Sequence, residues 1–158
     1  MSRTWPLLPQ MRELFEPASV AIIGASPDRT KVGNIILGNM IESGFQGPLY
    51  PVNPRYEEIM GLRCYPRVTD VPGPVEMAVI VVPAKAVLQV TEECGQKGVG
   101  AIVVISAGFK EVGLEGAVLE RRLGELAHRY GMRVLGPNCL GLVNTHHRMN
   151  ATFAREGP

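Results

Sequence analysis

The sequence is short of several features, and each absence removes a class of function. No apolar run approaches the roughly 20 residues that a membrane-spanning helix needs. Met1-Ser2-Arg3-Thr4-Trp5-Pro6 carries no long apolar core of the signal-peptide kind, so a cytoplasmic location and no membrane partner are expected. Charge of one sign is missing too: 16 Lys and Arg face 15 Asp and Glu, a net charge of +1. That leaves no general field for a polyanion, and nucleic acid is not an expected partner. The three cysteines, Cys64, Cys94 and Cys139, are odd in number and far apart. They form neither a C-x-x-C pair nor a disulfide framework, which suits a reducing compartment. Cys and His never fall at ligand spacing, so no metal site is expected. No internal repeat or low-complexity tract is visible. What is there is a globular composition, 46% hydrophobic and 20% charged over 158 residues, enough for one domain with a real core.

The most informative stretch runs from Ser19 to Gly33. Val20-Ala21-Ile22-Ile23 is apolar and β-branched, as befits a strand buried on both faces. Gly24 and Ala25 end it. Ser26-Pro27-Asp28-Arg29-Thr30-Lys31 follows as a polar turn, and Val32-Gly33-Asn34-Ile35-Ile36 begins a helical pattern. A strand, a glycine-bearing loop and a helix N-terminus make an anion site. The first N–H groups of the helix are free, and the macrodipole adds about half a positive charge. Gly24 lets backbone approach a phosphate, and Arg29 and Lys31 add cations. The stretch therefore reads as a pyrophosphate-binding loop, with an ordinary βα turn as the alternative.

The rest of the chain alternates in the same way. Leu7 to Pro17 reads as an amphipathic segment at the sheet edge, with Leu8, Met11, Leu14 and Phe15 apolar and Arg12 and Glu13 outward. A helix is expected over about 33–43, stopped by Gly44. Gly47 to Arg55 holds a second strand, whose prolines place it near an edge. Tyr56 to Gly73 breaks into short pieces and turns. Further strands are expected at Met77–Val82, Ala101–Ser106 and Met132–Leu135, with helices over Lys85–Lys97 and Leu114–Tyr130 between them. Glu125 and Arg129 are expected to pair on the outer face of the second of these. The implied fold is α/β: a single Rossmann-like, doubly wound parallel sheet of about five strands. Ligands in such sheets sit at the carboxyl ends of the strands. That rule gathers the loops at Gly24–Gly33, Asn53–Tyr56, Pro83–Lys85, Ser106–Gly108 and Pro137–Gly141 on one rim.

The dinucleotide fingerprint fits poorly. It requires G-x-G-x-x-G and an acid at the end of the second strand. Here the glycine after Gly24 is Gly33, in a longer loop that wraps. Asn53, Pro54 and Arg55 stand where the acid belongs. An arginine there suits a phosphorylated ribose, which favours NADP or coenzyme A over NAD.

Five motifs then occur in a familiar order: Gly24-Ala25-Ser26, Pro51-Val52-Asn53-Pro54, Val81-Val82-Pro83-Ala84, Ser106-Ala107-Gly108-Phe109 and Gly136-Pro137-Asn138-Cys139-Leu140-Gly141. Together they resemble the N-terminal CoA-binding domain of the NDP-forming acyl-CoA synthetases. That group comprises ADP-forming acetate–CoA ligases, relatives of the succinyl-CoA synthetase α subunit and of some protein lysine acetyltransferases. The resemblance spans about Leu14 to Phe153. It implies that the loop from Ser26 through Pro27, Arg29, Lys31 and Val32 to Gly33 carries the CoA phosphates. It implies that Asn53, Pro54 and Arg55 meet the adenosine end, with Arg55 near the 3′-phosphate. Val82 and Pro83 would pack adenine or pantetheine, backbone groups of Ser106, Ala107 and Gly108 would bind the pantetheine arm, and Asn138 and Cys139 would lie near the thiol.

In this family a phosphohistidine on a later domain carries phosphate between nucleotide and acid. His128 reads as a surface residue, and His146 and His147 do not occupy that position. No catalytic residue is therefore assigned; the chain is expected to bind CoA, while ATP, ADP and Mg act on domains outside it. The expected division is an N-terminal segment over 1–17, the CoA-binding domain over 18–145, and a tail or linker over 146–158. Expected partners are downstream domains or a β subunit of the same synthetase, with a possible homo-oligomer. The alternatives are a stand-alone or regulatory CoA- or nucleotide-binding module, and the CoA-binding part of a lysine acetyltransferase. Cys139 reads as site lining rather than as a nucleophile, because no base or cation adjoins it in sequence.

Overall fold

The computed structural model describes residues 9–155. The elements in chain order are α1 (Pro9–Phe15), β1 (Val20–Ile23), α2 (Val32–Glu42), β2 (Leu49–Val52), β3 (Glu58–Ile59) and β4 (Leu62–Arg63). They continue with β5 (Met77–Ile80), α3 (Ala84–Lys97), β6 (Ala101–Val104), α4 (Leu114–Arg129), β7 (Arg133–Leu135), β8 (Gly141–Asn144) and β9 (Met149–Thr152). Five strands form one parallel sheet in the order β2-β1-β5-β6-β7. β1, β5 and β6 are buried along their whole length, which is why they read as unbroken apolar runs. β2, with Pro51 in it, is an edge strand, where a missing backbone donor does least harm.

Alternate residues of the strands feed two cores. Ala21, Ile23, Ala78, Ile80, Ile102 and Val104 face α3 and α4 through Val87, Cys94, Leu123 and Ala127. Val20, Ile22, Met77, Val79 and Val103 face the other side, against Leu14 of α1, Ile36, Leu37 and Met40 of α2, and Met149 and Ala151 of β9. Each of the large side chains buried here contributes about 1.5–3 kcal/mol of apolar burial. Helices on both faces of a parallel sheet make the doubly wound fold expected from the alternating pattern.

Several local expectations change. Of the segment read as amphipathic over 1–17, residues 1–8 lie outside the described residues. In the remainder Leu14 is buried and α1 lies against β6 and β7, but Phe15 is exposed. Arg12 turns back to Glu76, with 2.9 Å between its guanidinium and the carboxylate, and Glu76 also accepts the Ala18 N–H. Glu125 meets Arg121 at 4.0 Å rather than the expected Arg129; both pairs have the same spacing along the helix. The tail expected from residue 146 is folded through Thr152. β8 and β9 form an antiparallel hairpin that packs on α2, and Asn39 of α2 donates to the carbonyls of Thr152 and Ala154, both at 2.8 Å.

Candidate functional site

The chain runs from β1 outward to β2 and then returns to β5 on the far side of β1. The order reverses between β1 and β5, where doubly wound sheets open a crevice. A cleft of about 780 Å³ lies there. It is formed by the ends of β1 (Ile23, Gly24), β2 (Val52, Asn53) and β5 (Val81, Val82), together with the first turns of α2 and α3.

Two glycines build its floor. Gly24 stands at φ +97, in the left-handed region, and a Cβ there would lie 2.1 Å from the Val81 carbonyl oxygen. A Cβ at Gly33 would lie 2.0 Å from the Gly24 carbonyl oxygen. Any side chain at either position would push the start of α2 off the end of the sheet. Lys31 is the N-cap residue of α2 but its side chain caps nothing, and Pro83 likewise leaves α3 without a side-chain cap. Both first turns line the cleft and carry no side-chain cap, so their macrodipoles favour an anion there.

The loop between Gly24 and α2 is braced from within. Asp28 accepts from the Thr30 N–H at 2.9 Å and from its hydroxyl at 2.7 Å. These bonds hold the Asp28 carboxyl below the usual carboxylate range, so it stays ionised and turned toward Thr30. Asn34 donates to the Ser26 carbonyl at 2.9 Å. Asn53 donates from Nδ2 to the Ala25 carbonyl at 2.8 Å and accepts the Arg55 N–H at 3.0 Å. Its amide thus ties the β2 exit to the loop after β1 and fixes the start of the Asn53–Arg55 turn.

Of the residues singled out from sequence, Gly24, Ser26, Lys31, Val32, Gly33, Asn53, Pro54, Arg55, Val82 and Pro83 line the cleft together. Ala25 is fully buried in the core. Pro27 does not line the cleft, and Arg29 sits on the outer flank of α2 in a groove with Gly38, Met60 and Arg155. Arg29 and Lys31 therefore line different grooves, and only Lys31 faces the cleft. Ser106, Ala107, Gly108, Asn138 and Cys139 also lie outside the cleft lining, but they form the adjoining rim. The Ser106 hydroxyl donates to the Val82 carbonyl, and the Asn138 N–H donates to the Ser106 carbonyl at 3.0 Å. Gly108 packs so closely on α3 that a Cβ would lie 2.9 Å from the Ala84 methyl. The Cys139 thiol is half-buried, lies 3.3 Å from the Val104 carbonyl, and is pushed up in pKa by burial, the opposite of what an activated thiol needs.

The structure adds Arg67, Tyr56, Pro66, Gln89, Val90 and Glu93 to the lining. Gln89, Val90 and Glu93 recur with Ala86 at helical spacing, so one face of α3 is a cleft wall. Arg67 arrives from the irregular stretch after β4 and makes only a loose contact with Asp70 at 3.5 Å. Three cations, Lys31, Arg55 and Arg67, thus share the cleft with two carboxylates, Asp28 and Glu93. Such a site accepts a ligand with separated phosphates and an apolar body. Among the described residues no three His, Cys, Asp or Glu side chains gather as a metal site, and no helix is long and apolar enough to cross a membrane.

The family model for the CoA binding domain matches residues 18–145. The chain is 57% identical over 148 residues to acetate–CoA ligase (ADP-forming) I of Archaeoglobus fulgidus, across 94% of this chain and 21% of that protein. It is 51% identical over 140 residues to the alpha subunit of acetate–CoA ligase (ADP-forming) II of Pyrococcus furiosus, across 88% of this chain and 30% of the subunit. A solved structure of Ca. Korarchaeum cryptofilum dinucleotide forming acetyl-coenzyme A synthetase 1, in complex with phosphate and ADP, superposes with a TM-score of 0.89 at 50% identity. That match covers 92% of this chain and 31% of the solved one. The chain thus spans between a fifth and a third of the length of these relatives.

Proposed function

Because the chain belongs to the CoA binding domain family, we propose that the cleft at the β1–β5 switch point is its coenzyme A site. The observation that carries this reading is the meeting of two uncapped helix starts with Lys31, Arg55 and Arg67 around one cleft. The CoA diphosphate takes the N–H groups of Val32 and Gly33, with Lys31 beside it. The adenosine end lies toward Arg55, Arg67 and Tyr56, where a guanidinium pairs with the 3′-phosphate. Val82, Pro83 and the α3 face carry the apolar part of the ligand toward Gly108 and Cys139. Bound CoA supplies the thiol that accepts an acyl group; the residues of this chain bind it, orient it and present its end at the rim.

The parent activity proposed is that of an acid–CoA ligase of the ADP-forming type, acyl-CoA + ADP + phosphate ⇌ carboxylic acid + ATP + CoA. Its phosphohistidine, nucleotide and Mg sites are assigned to parts beyond these residues, whether on the same polypeptide or on a β subunit. A cytoplasmic location belongs to the same reading.

Calorimetric titration of the chain with CoA, 3′-dephospho-CoA, NAD and NADP tests the site. The expected result is one CoA per chain, weaker 3′-dephospho-CoA, and no comparable NAD or NADP binding. Tight NADP with no CoA would overturn it.

A further inference from the structure

The turn after β6 is held by carboxylates of its own chain. Glu111 Oε1 accepts the backbone N–H of Gly108 and, at 3.1 Å, that of Phe109. Glu120 Oε2 accepts the N–H of Lys110 at 3.2 Å. Three successive backbone donors are therefore taken by side chains from the following turn and α4. The Phe109 ring is fully buried, and its carbonyl presses on α4, where a Cβ at Gly116 would lie 1.7 Å from the oxygen. On the other side Ser106 is tied to Val82 and Asn138. Gly108 stands between these anchors at φ +105, against Ala84.

Without Glu111 the N–H groups of Gly108 and Phe109 have no protein acceptor to hold the turn, and a glycine with φ above zero has many conformations open to it. One ionised oxygen shared by both N–H groups removes that freedom. The same N–H groups hold the Glu111 carboxyl below its usual range, so the acceptor stays charged at neutral pH.

We infer that Glu111 is a positioning residue for the thiol-bearing arm of the ligand: it fixes the Ser106–Phe109 turn as the wall the arm follows beyond Val82 and Pro83. The inference rests on the coenzyme A reading of the cleft. It also revises what the turn offers, since the Gly108 N–H is committed to Glu111 and is not a donor to the arm.

The test titrates the wild-type chain, Glu111→Ala and Glu111→Gln with two ligands, CoA and adenosine 3′,5′-bisphosphate. The second carries the adenosine end without the arm. Glu111→Ala is expected to lose about tenfold in CoA affinity, the size of re-ordering about one backbone residue of the turn on binding, and to keep its bisphosphate affinity. Glu111→Gln, which keeps an acceptor oxygen, is expected within about threefold of wild type for both. Undiminished CoA binding by Glu111→Ala would overturn the inference. So would equal loss of both ligands, which marks a merely structural role. A wild-type chain that takes no CoA would instead defeat the reading of the cleft, and this inference with it.

Discussion

Replacing Gly33 by alanine tests how the junction of β1 and α2 is built. The added Cβ would lie 2.0 Å from the Gly24 carbonyl oxygen and 3.2 Å from the Ala25 Cα. Both neighbours are backbone and cannot swing aside. Reaching even 3.0 Å, the limit that real Cβ atoms respect, moves the helix start by about 1 Å. α2 resists that shift, because Ile36, Leu37 and Met40 are fully buried beneath it. Overpacking of this kind costs about 1–3 kcal/mol, against which the better helix propensity of alanine offsets about 1 kcal/mol. The same shift carries the N–H groups of Val32 and Gly33 away from the ligand, and CoA affinity is expected to fall by about tenfold or more. Gly38→Ala is the control on the same helix: its Cβ would meet only the Met60 methyl at 3.7 Å. It should gain about 0.5–1 kcal/mol and bind as wild type does. Urea unfolding reads the stabilities and calorimetry the affinities. A Gly33→Ala chain that unfolds and binds like wild type would refute the close-packed junction.

Arg55→Ala and Arg67→Ala should each weaken CoA by about 1–2 kcal/mol and 3′-dephospho-CoA by much less; equal losses for the two ligands would remove both residues from the 3′-phosphate. The Arg12 guanidinium holds the Glu76 carboxyl below its usual range. That stabilisation is full above the ordinary glutamate range and is lost as pH falls through the depressed folded value. Arg12→Met should therefore flatten the acid limb of the urea midpoint against pH, and an unchanged limb would contradict the assignment. Burial pushes the thiols of Cys64, Cys94 and Cys139 up, Cys94 most of all. Native-state alkylation at mildly alkaline pH should be slow at all three and slowest at Cys94; a Cys139 that reacts as fast as in urea would argue for an activated thiol.

Much of the sheet was legible in the sequence because β1, β5 and β6 are buried on both faces and so carry uninterrupted apolar runs rich in β-branched residues. The hairpin at 141–152 had no such run. β9 is Met-Asn-Ala-Thr, and its polar members are buried only because the Thr152 hydroxyl donates to Asn150 and Asn39 reaches across from α2. Asn39 lies far from β9 in sequence, and its reach to the Thr152 carbonyl becomes visible only once the chain is folded. In the cleft, Gly24, Gly33 and Arg55 were readable because the turn chemistry is local. The grooves that Arg29 and Lys31 line were not, since that depends on the path the loop takes in the folded chain. Arg67 was hidden in an irregular stretch with no period, and the α3 wall was hidden because Gln89 and Glu93 look like any solvated helix face.

The most direct test is a crystal structure of the chain grown with coenzyme A. The account predicts the diphosphate on the N–H groups of Val32 and Gly33, the 3′-phosphate beside Arg55 and Arg67, and the arm running past Val82 and Pro83 to Gly108. Ligand bound elsewhere on the molecule, with this cleft vacant, would contradict it.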